Sequence, residues 1–174
     1  EPKPRGFAVG FFFAWNSNPM FNLSTDTVHR LLKARDASKG LSTDTRVDLD
    51  DQVFFALRGA NFNGNAFVQR ALDQGAVHAV TTDSKWVGHP KVTVVDNELG
   101  ALQCLARAYR RRWTCPVLGM TGSNGKTTTK ELIRDVLREA IDVHATKGNL
   151  NNHIGVPLTL LNAPPQPDFV VVEM

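Results

Sequence analysis

Thr121-Gly122-Ser123-Asn124-Gly125-Lys126-Thr127-Thr128-Thr129 stands between an apolar run, Val117 to Met120, and a helical pattern, Lys126 to Ala140. Strand, Gly-rich loop and helix in that order are the setting of a phosphate-binding loop. Glycines let the backbone wrap an anion with its N–H groups converging, and the helix N-terminus adds positive potential. Lys126 supplies a point charge for β- and γ-phosphates, and the Thr127 hydroxyl can ligate Mg²⁺. Thr121, Gly122, Ser123, Asn124, Gly125, Lys126, Thr127 and Thr128 are therefore candidate nucleotide-binding residues, with ATP and Mg²⁺ the expected cofactors. The fit to G-x-x-x-x-G-K-[ST] is imperfect, because the first glycine of that pattern falls on Met120, and glycines stand at 119 and 122 instead. The alternative is a Gly-rich turn that only caps the helix.

Downstream, Asp142 to Ala145 reads as a strand, Asn149 to Asn152 as a loop, Ile154 to Leu161 as a helix beginning near Pro157, and Phe169 to Glu173 as a buried strand. That alternation predicts a parallel sheet. A buried parallel strand needs neighbours on both edges and helices on both faces. With about three strands and the last at the chain end, the sheet is expected to continue in a longer protein. Glu173 ends its strand where open α/β sheets face their ligand crevice, a position suited to holding Mg²⁺; the alternative is a solvated strand end. The amides of Asn149, Asn151 and Asn152 can bind phosphate or sugar oxygens, or one of them can cap the following helix. His153 reads as a surface residue.

Upstream, Ser24 is the expected N-cap of a helix, with Leu23 and Val28 as its hydrophobic staple and Lys39-Gly40 as its end. Leu41 to Arg46 reads as a short polar segment, Val53 to Leu57 as a strand, and Asn61-Phe62-Asn63-Gly64-Asn65 as a turn. Ala66 to Gln74 reads as a helix closed by Gly75 at C′. Val77 to Thr81 and Val92 to Val95 read as strands. Asp96 is the expected cap of a helix running to about Trp113, with Leu99, Leu102, Leu105, Ala106 and Tyr109 on its apolar stripe. The fold class is thus α/β in two parts. Residues 20–112 form a mixed α/β module expected to stand alone, and 113–174 begin a parallel-sheet domain of phosphate-loop type.

Composition narrows the function classes. The 174 residues are 42% hydrophobic and 21% charged, enough for a core. Lys+Arg number 20 against 17 Asp+Glu, a net charge of +3, and the basic residues are scattered, so no nucleic-acid partner is expected. The densest basic cluster, Arg110 to Arg112, suits a helix C-terminus. Cys104 and Cys115 cannot form a disulfide framework or metal cluster; Cys104 is expected in the core, and reduced thiols fit a cytoplasmic site. No apolar run is long enough to span a membrane. The apolar stretch Phe7 to Trp15 lacks a cleavage site, so residues 1–19 are expected to be a leader or extension outside the fold, with Met20 a candidate start.

Four motifs resemble the Mur ligases of peptidoglycan synthesis: Thr121 to Glu131, Gly148 to Leu158, Val171 to Met174, and an N-terminal set. The last comprises Ser42-Thr43-Asp44-Thr45-Arg46, Val53 to Gly59, Asn61 to Gly64 and Gly75-Ala76. The resemblance implies three domains: one for a UDP-sugar, a central ATPase and a C-terminal Rossmann-like domain. It implies an ATP-dependent amide ligation through an acyl phosphate, and its detail favours the branch joining D-alanyl-D-alanine to UDP-N-acetylmuramoyl-tripeptide, as a cytoplasmic monomer. It assigns Lys126, Asn151 and Asn152 to catalysis and Thr127 and Glu173 to the metal. Ser42, Thr43, Asp44, Thr45, Arg46, Asn61, Asn63, Asn149, Asn151 and Asn152 are assigned to the substrate. Arg46 offers a planar fork for a diphosphate, unless it pairs with Asp44 or Asp48. The family's second Mg²⁺ ligand, carbamoylated lysine and adenine contacts would lie beyond residue 174. The chain departs from the family at Asn63-Gly64-Asn65, where Asp-Gly-His or Asp-Ala-His is common. Asparagine there can still brace the loop but carries no charge. Alternatives are another amino-acid-adding Mur ligase, a folylpolyglutamate-type ligase, or a non-catalytic nucleotide-binding module.

Overall fold

Ser24 opens the first helix of the computed structural model, which describes residues 21–59 and 62–174. The expectation for residues 1–19 lies outside the described residues. The Ser24 side chain accepts from the Thr27 N–H, and α1 runs Thr25–Asp36, stopping before Lys39-Gly40. The polar stretch that follows begins with a strand not read from sequence, β1 (Gly40–Ser42). Three residues carry no periodicity; what makes them a strand is parallel pairing with β2 (Gln52–Phe55). A hairpin of β3 (Arg58–Gly59) and β4 (Phe62–Asn63) replaces part of the expected turn. A 3-10 turn (Gly64–Phe67) leads into α2 (Val68–Asp73), closed by Gly75 at φ +93°. Next come β5 (His78–Thr81), a 3-10 turn (Ser84–Trp86) and β6 (Val92–Val94).

The first sheet is parallel throughout, in the order β1-β2-β5-β6. The pleat of β2 splits its side chains. Phe54 joins Leu49, Val68 and Ala71 beneath α2, while Val53 and Phe55 face Leu31 of α1 and Leu102 and Leu105 of α3 (Glu98–Arg110). Asn97, not Asp96, caps α3, its Oδ1 accepting from the Gly100 N–H at 2.8 Å. Leu99 is only half-buried, because Glu98 takes the inward position. Arg110 and Arg111 close this helix as expected. Both cysteines are free and half-buried, so Cys104 sits at the rim of the core.

The second sheet has the order β7-β9-β8, from β7 (Val117–Met120), β8 (Val143–Ala145) and β9 (Phe169–Glu173), again all parallel. β9 is therefore paired on both sides. Its Val171 packs with Val143 and Ala145 toward α4 (Lys126–Arg138), and its Val170 and Val172 face α5 (Gly155–Leu161).

One apolar core runs from α1 and the first sheet through α3 to α5 and β9. Polar contacts reinforce it. Arg35 is buried and donates through Nε to Leu161 O and through Nη2 to Ala163 O, its guanidinium 4.6 Å from the centre of the Tyr109 ring. Tyr109 Oη donates to Ala163 O at 3.1 Å. Asn162 pairs with both backbone groups of Leu41: Oδ1 accepts from the N–H at 2.8 Å, and Nδ2 donates to the carbonyl at 3.1 Å. A side chain at Gly40 would strike Asn162, which is why glycine begins this strand. Residues 20–112, expected to stand alone, thus share their core with α5 and β9.

Candidate nucleotide site

Met120 and Glu173 are register partners, so β7 and β9 end side by side at the C-terminal edge of their sheet. The chain leaves β7 through the exposed loop Thr121 to Gly125 and enters α4 at Lys126. Gly125 is the N-cap of α4 at φ +76°, a left-handed conformation that glycine adopts without penalty. With no side chain capping that end, the first backbone N–H groups of α4 stay available to an anion. Lys126 Nζ folds back to donate to Gly122 O across the loop. Thr121, Ser123, Asn124 and Thr128 are exposed around it.

Glu173 is only 1% exposed. Thr127 Oγ1 lies 3.1 Å from each of its carboxylate oxygens, and Asn151 Nδ2 donates to Oε1 at 3.0 Å. The Glu173 N–H donates to Thr146 Oγ1 at 2.9 Å, which fixes the backbone behind the carboxylate. Burial pushes the carboxyl up, but hydrogen bonds from Asn151 and Thr127 and the charge of Lys130 outweigh it, so the net shift is downward and the acid stays ionised. A carboxylate and a hydroxyl, both hard oxygen donors, are the donor chemistry that suits Mg²⁺.

The asparagine run divides. Asn151 joins the site, whereas Asn152 Oδ1 accepts from the N–H groups of Ile154 and Gly155 at 3.0 and 2.8 Å. Asn152 thus caps α5, the structural alternative foreseen from sequence. Asn149 and His153 are exposed.

The substrate residues expected in the N-terminal part begin at Ser42, the last residue of β1. Ser42 Oγ donates to Asp44 O at 3.2 Å and accepts from the Asp44 N–H at 3.1 Å. Thr43 is half-buried and Thr45 is buried. Arg46 grips Asp44 in a fork, Nη2 to Oδ2 at 2.7 Å and Nε to Oδ1 at 2.9 Å, which brings the Asp44 carboxyl down to about 2. The pairing of Arg46 with Asp44 is therefore the one present. Asn63 Oδ1 accepts from the Asn65 N–H at 3.2 Å; Asn61 lies outside the described residues.

Two groups escaped the sequence reading, and the first is the set of partners that Asn65 finds. At the C-terminal end of the first sheet, Thr81 Oγ1 donates to Asn65 Oδ1 at 2.7 Å and Asn65 Nδ2 donates to Thr82 Oγ1 at 2.8 Å. Thr82 Oγ1 donates to buried Glu98, which also holds Arg58 Nε at 3.0 Å. Asn65 therefore braces this edge. The other is Lys130, fully buried beside Glu173. Lysines are read as solvated; Lys130 lies three residues after Thr127 and shares its helix face, a spacing that places it beside the site without showing its burial.

Residues 120–174 match the family model of the Mur ligase middle domain. The UDP-N-acetylmuramoyl-tripeptide–D-alanyl-D-alanine ligase of Synechocystis sp. is 47% identical over 137 residues, covering 77% of this chain and 30% of the relative. That of Bacillus subtilis is 46% identical over 138 residues, covering 78% of this chain and 30% of the relative. The crystal structure of MurF ligase from Thermotoga maritima in complex with ADP matches at a TM-score of 0.68 and 30% identity, over 81% of this chain and 32% of that one. The chain thus spans about a third of the length of the relatives it matches. The likeness reaches well upstream of the phosphate loop, through the first sheet as well as the second, and this chain belongs to the Mur ligase family.

Proposed function

We propose that this chain is the nucleotide-binding part of an ATP-dependent ligase that joins D-alanyl-D-alanine to UDP-N-acetylmuramoyl-tripeptide. The observation that carries the reading is the meeting of the phosphate loop, Thr127, Glu173 and Asn151 at one sheet edge. Residues 113–174 would hold the triphosphate, and residues 20–112 the UDP part of the acceptor.

Two anions must meet in such a reaction, a carboxylate and a triphosphate. Unit charges 4 Å apart repel by roughly 4 kcal/mol at an effective dielectric near 20. Lys126 and the N–H groups at the start of α4 offset that repulsion on the phosphate side. Thr127 and Glu173 would hold Mg²⁺, which when bound neutralises phosphate charge. Asn151 keeps the Glu173 carboxylate turned toward the loop. On the first sheet, the pair between Arg46 and Asp44 is exposed and weak, so Arg46 can exchange its partner for a diphosphate at small cost. Arg58, anchored from below by Glu98, adds a second cation on the same edge.

Among the described residues no helix is long and apolar enough to cross a membrane. We place the reaction in the cytoplasm, catalysed by a monomer. The test is ADP release by the full-length protein supplied with ATP, Mg²⁺ and UDP-N-acetylmuramoyl-tripeptide, with and without D-alanyl-D-alanine. Release that requires the dipeptide supports the reading. Release that instead requires a single amino acid would assign another branch of the family, and no release with any amine would leave a binding module.

A further inference from the structure

Lys130 has no role in the chemistry just described, yet it is the most deeply buried charged side chain among the described residues, at 0% exposure. Its Nζ donates to Gly148 O at 2.7 Å and lies 3.1 Å from Glu131 Oε1 and 3.4 Å from Glu173 Oε2. The other partners of the Glu173 carboxylate, the Thr127 hydroxyl and the Asn151 amide, are neutral. Lys130 therefore supplies the nearest full positive charge to a carboxylate that is itself shut away from water, and a buried carboxylate is tolerated only when paired.

That pairing has a second effect. An ammonium held against a carboxylate opposes the arrival of another cation, and burial leaves little solvent or salt to screen the repulsion. Lys130 is not free to swing aside, because the bond to Gly148 ties it to the turn that precedes Asn149. Glu131, which shares Lys130, is also held by Arg134, so a divalent ion approaching Glu173 alone meets a carboxylate whose charge Lys130 largely offsets. Approaching together with a polyphosphate seated on the loop, it meets several further negative charges.

We propose that Lys130 neutralises Glu173 in the nucleotide-free protein, so that a divalent cation is retained at Thr127 and Glu173 only together with a nucleotide polyphosphate. The proposal rests on the nucleotide-binding reading above, and it makes Lys130 a positioning residue that acts through Glu173.

The test uses the full-length protein and Mn²⁺, with free ion followed by electron paramagnetic resonance, with and without ADP. Wild type is expected to hold Mn²⁺ at least about tenfold more tightly with ADP than without. Lys130→Met keeps the aliphatic stem and removes the charge; its nucleotide-free form is expected to gain about tenfold in Mn²⁺ affinity. Adding Glu173→Gln should abolish that gain, which a merely structural role for Lys130 would not produce. A folded Lys130→Met protein with unchanged nucleotide-free affinity overturns the proposal. So does a nucleotide-free wild type that already holds Mn²⁺ as tightly as with ADP at a site lost in Glu173→Gln, a result that does not depend on Lys130→Met folding. A wild type that binds no ADP at all would overturn the nucleotide-binding reading and the proposal with it.

Discussion

At the scale of single residues, Lys126 and Lys130 sit one helical turn apart on α4 and differ in every physical respect. Lys126 is half-exposed and spans the loop to Gly122, so its removal leaves no buried group unpaired. In the full-length protein Lys126→Ala is therefore expected to fold normally and to lose about 10³–10⁵ in kcat, the scale of losing a charge that stabilises phosphoryl transfer. Steady-state ligation at saturating ATP reads this, and activity within tenfold of wild type would remove Lys126 from the mechanism. His78 carries a different consequence. It is buried, with Nε2 2.8 Å from Thr93 Oγ1; burial first, then the nearby charges of Arg30 and His89, lower its pKa to about 4. The unfolded chain binds a proton near pH 6.5 that the folded chain refuses until about pH 4, so stability is full above 6.5 and falls as pH drops through that window. Between pH 7 and pH 5 this group should cost roughly 2 kcal/mol. Urea denaturation at the two pH values should show the loss in wild type and a smaller one in His78→Gln. The turn from β7 into α4 was legible at this scale because its glycines stand between an apolar run and a helical pattern. Lys130 was not, because its burial is set by β9 and by the turn at Gly148, which lie 18 and more residues away.

At the scale of elements, periodicity gave the longer helices and the apolar strands to within a few residues. α3 and β9 were read nearly as they stand, since each buries a face or a whole strand that leaves a pattern in the chain. The failures are the elements too short to carry a period. β1 and the β3–β4 hairpin exist because neighbours supply their hydrogen bonds, and strands of two or three residues do not announce a neighbour. The end of α5 depends on distant donors in the same way. Two carbonyls there, Leu161 O and Ala163 O, are satisfied by Arg35 from α1, a cation placed where a helix C-terminus favours one. Arg35→Met retains bulk but strands Leu161 O and leaves Ala163 O to Tyr109 alone, and should lower stability by about 1–3 kcal/mol. The midpoint of urea unfolding, with an unchanged slope, is the measurement; a shift worth less than about 0.5 kcal/mol would mean that water replaces the guanidinium there.

At the scale of the whole molecule, two parallel sheets are joined by α3 and α5 into one apolar core. A change of pattern near residue 112 was visible, but the shared core was not, because a sequence shows which faces are apolar and not which of them meet. Cutting there separates Leu102, Leu105 and Tyr109 of α3 from Val156 and Leu161 of α5. Residues 21–112 expressed alone should therefore bind a hydrophobic dye and melt at lower temperature than residues 21–174. Equal melting temperatures and no dye binding would show that the first sheet and its helices are self-sufficient.

Asn162 touches the same boundary with a different outcome. β1 is an outer strand, and an outer strand offers unpaired N–H and carbonyl groups to any extended peptide that passes. Its central residue, Leu41, is buried and already engaged: one side-chain amide presents the single acceptor and single donor that a neighbouring strand would bring. The sheet is finished by a lone residue borrowed from the far end of the chain, and a second molecule seeking to add its own strand finds that edge already taken.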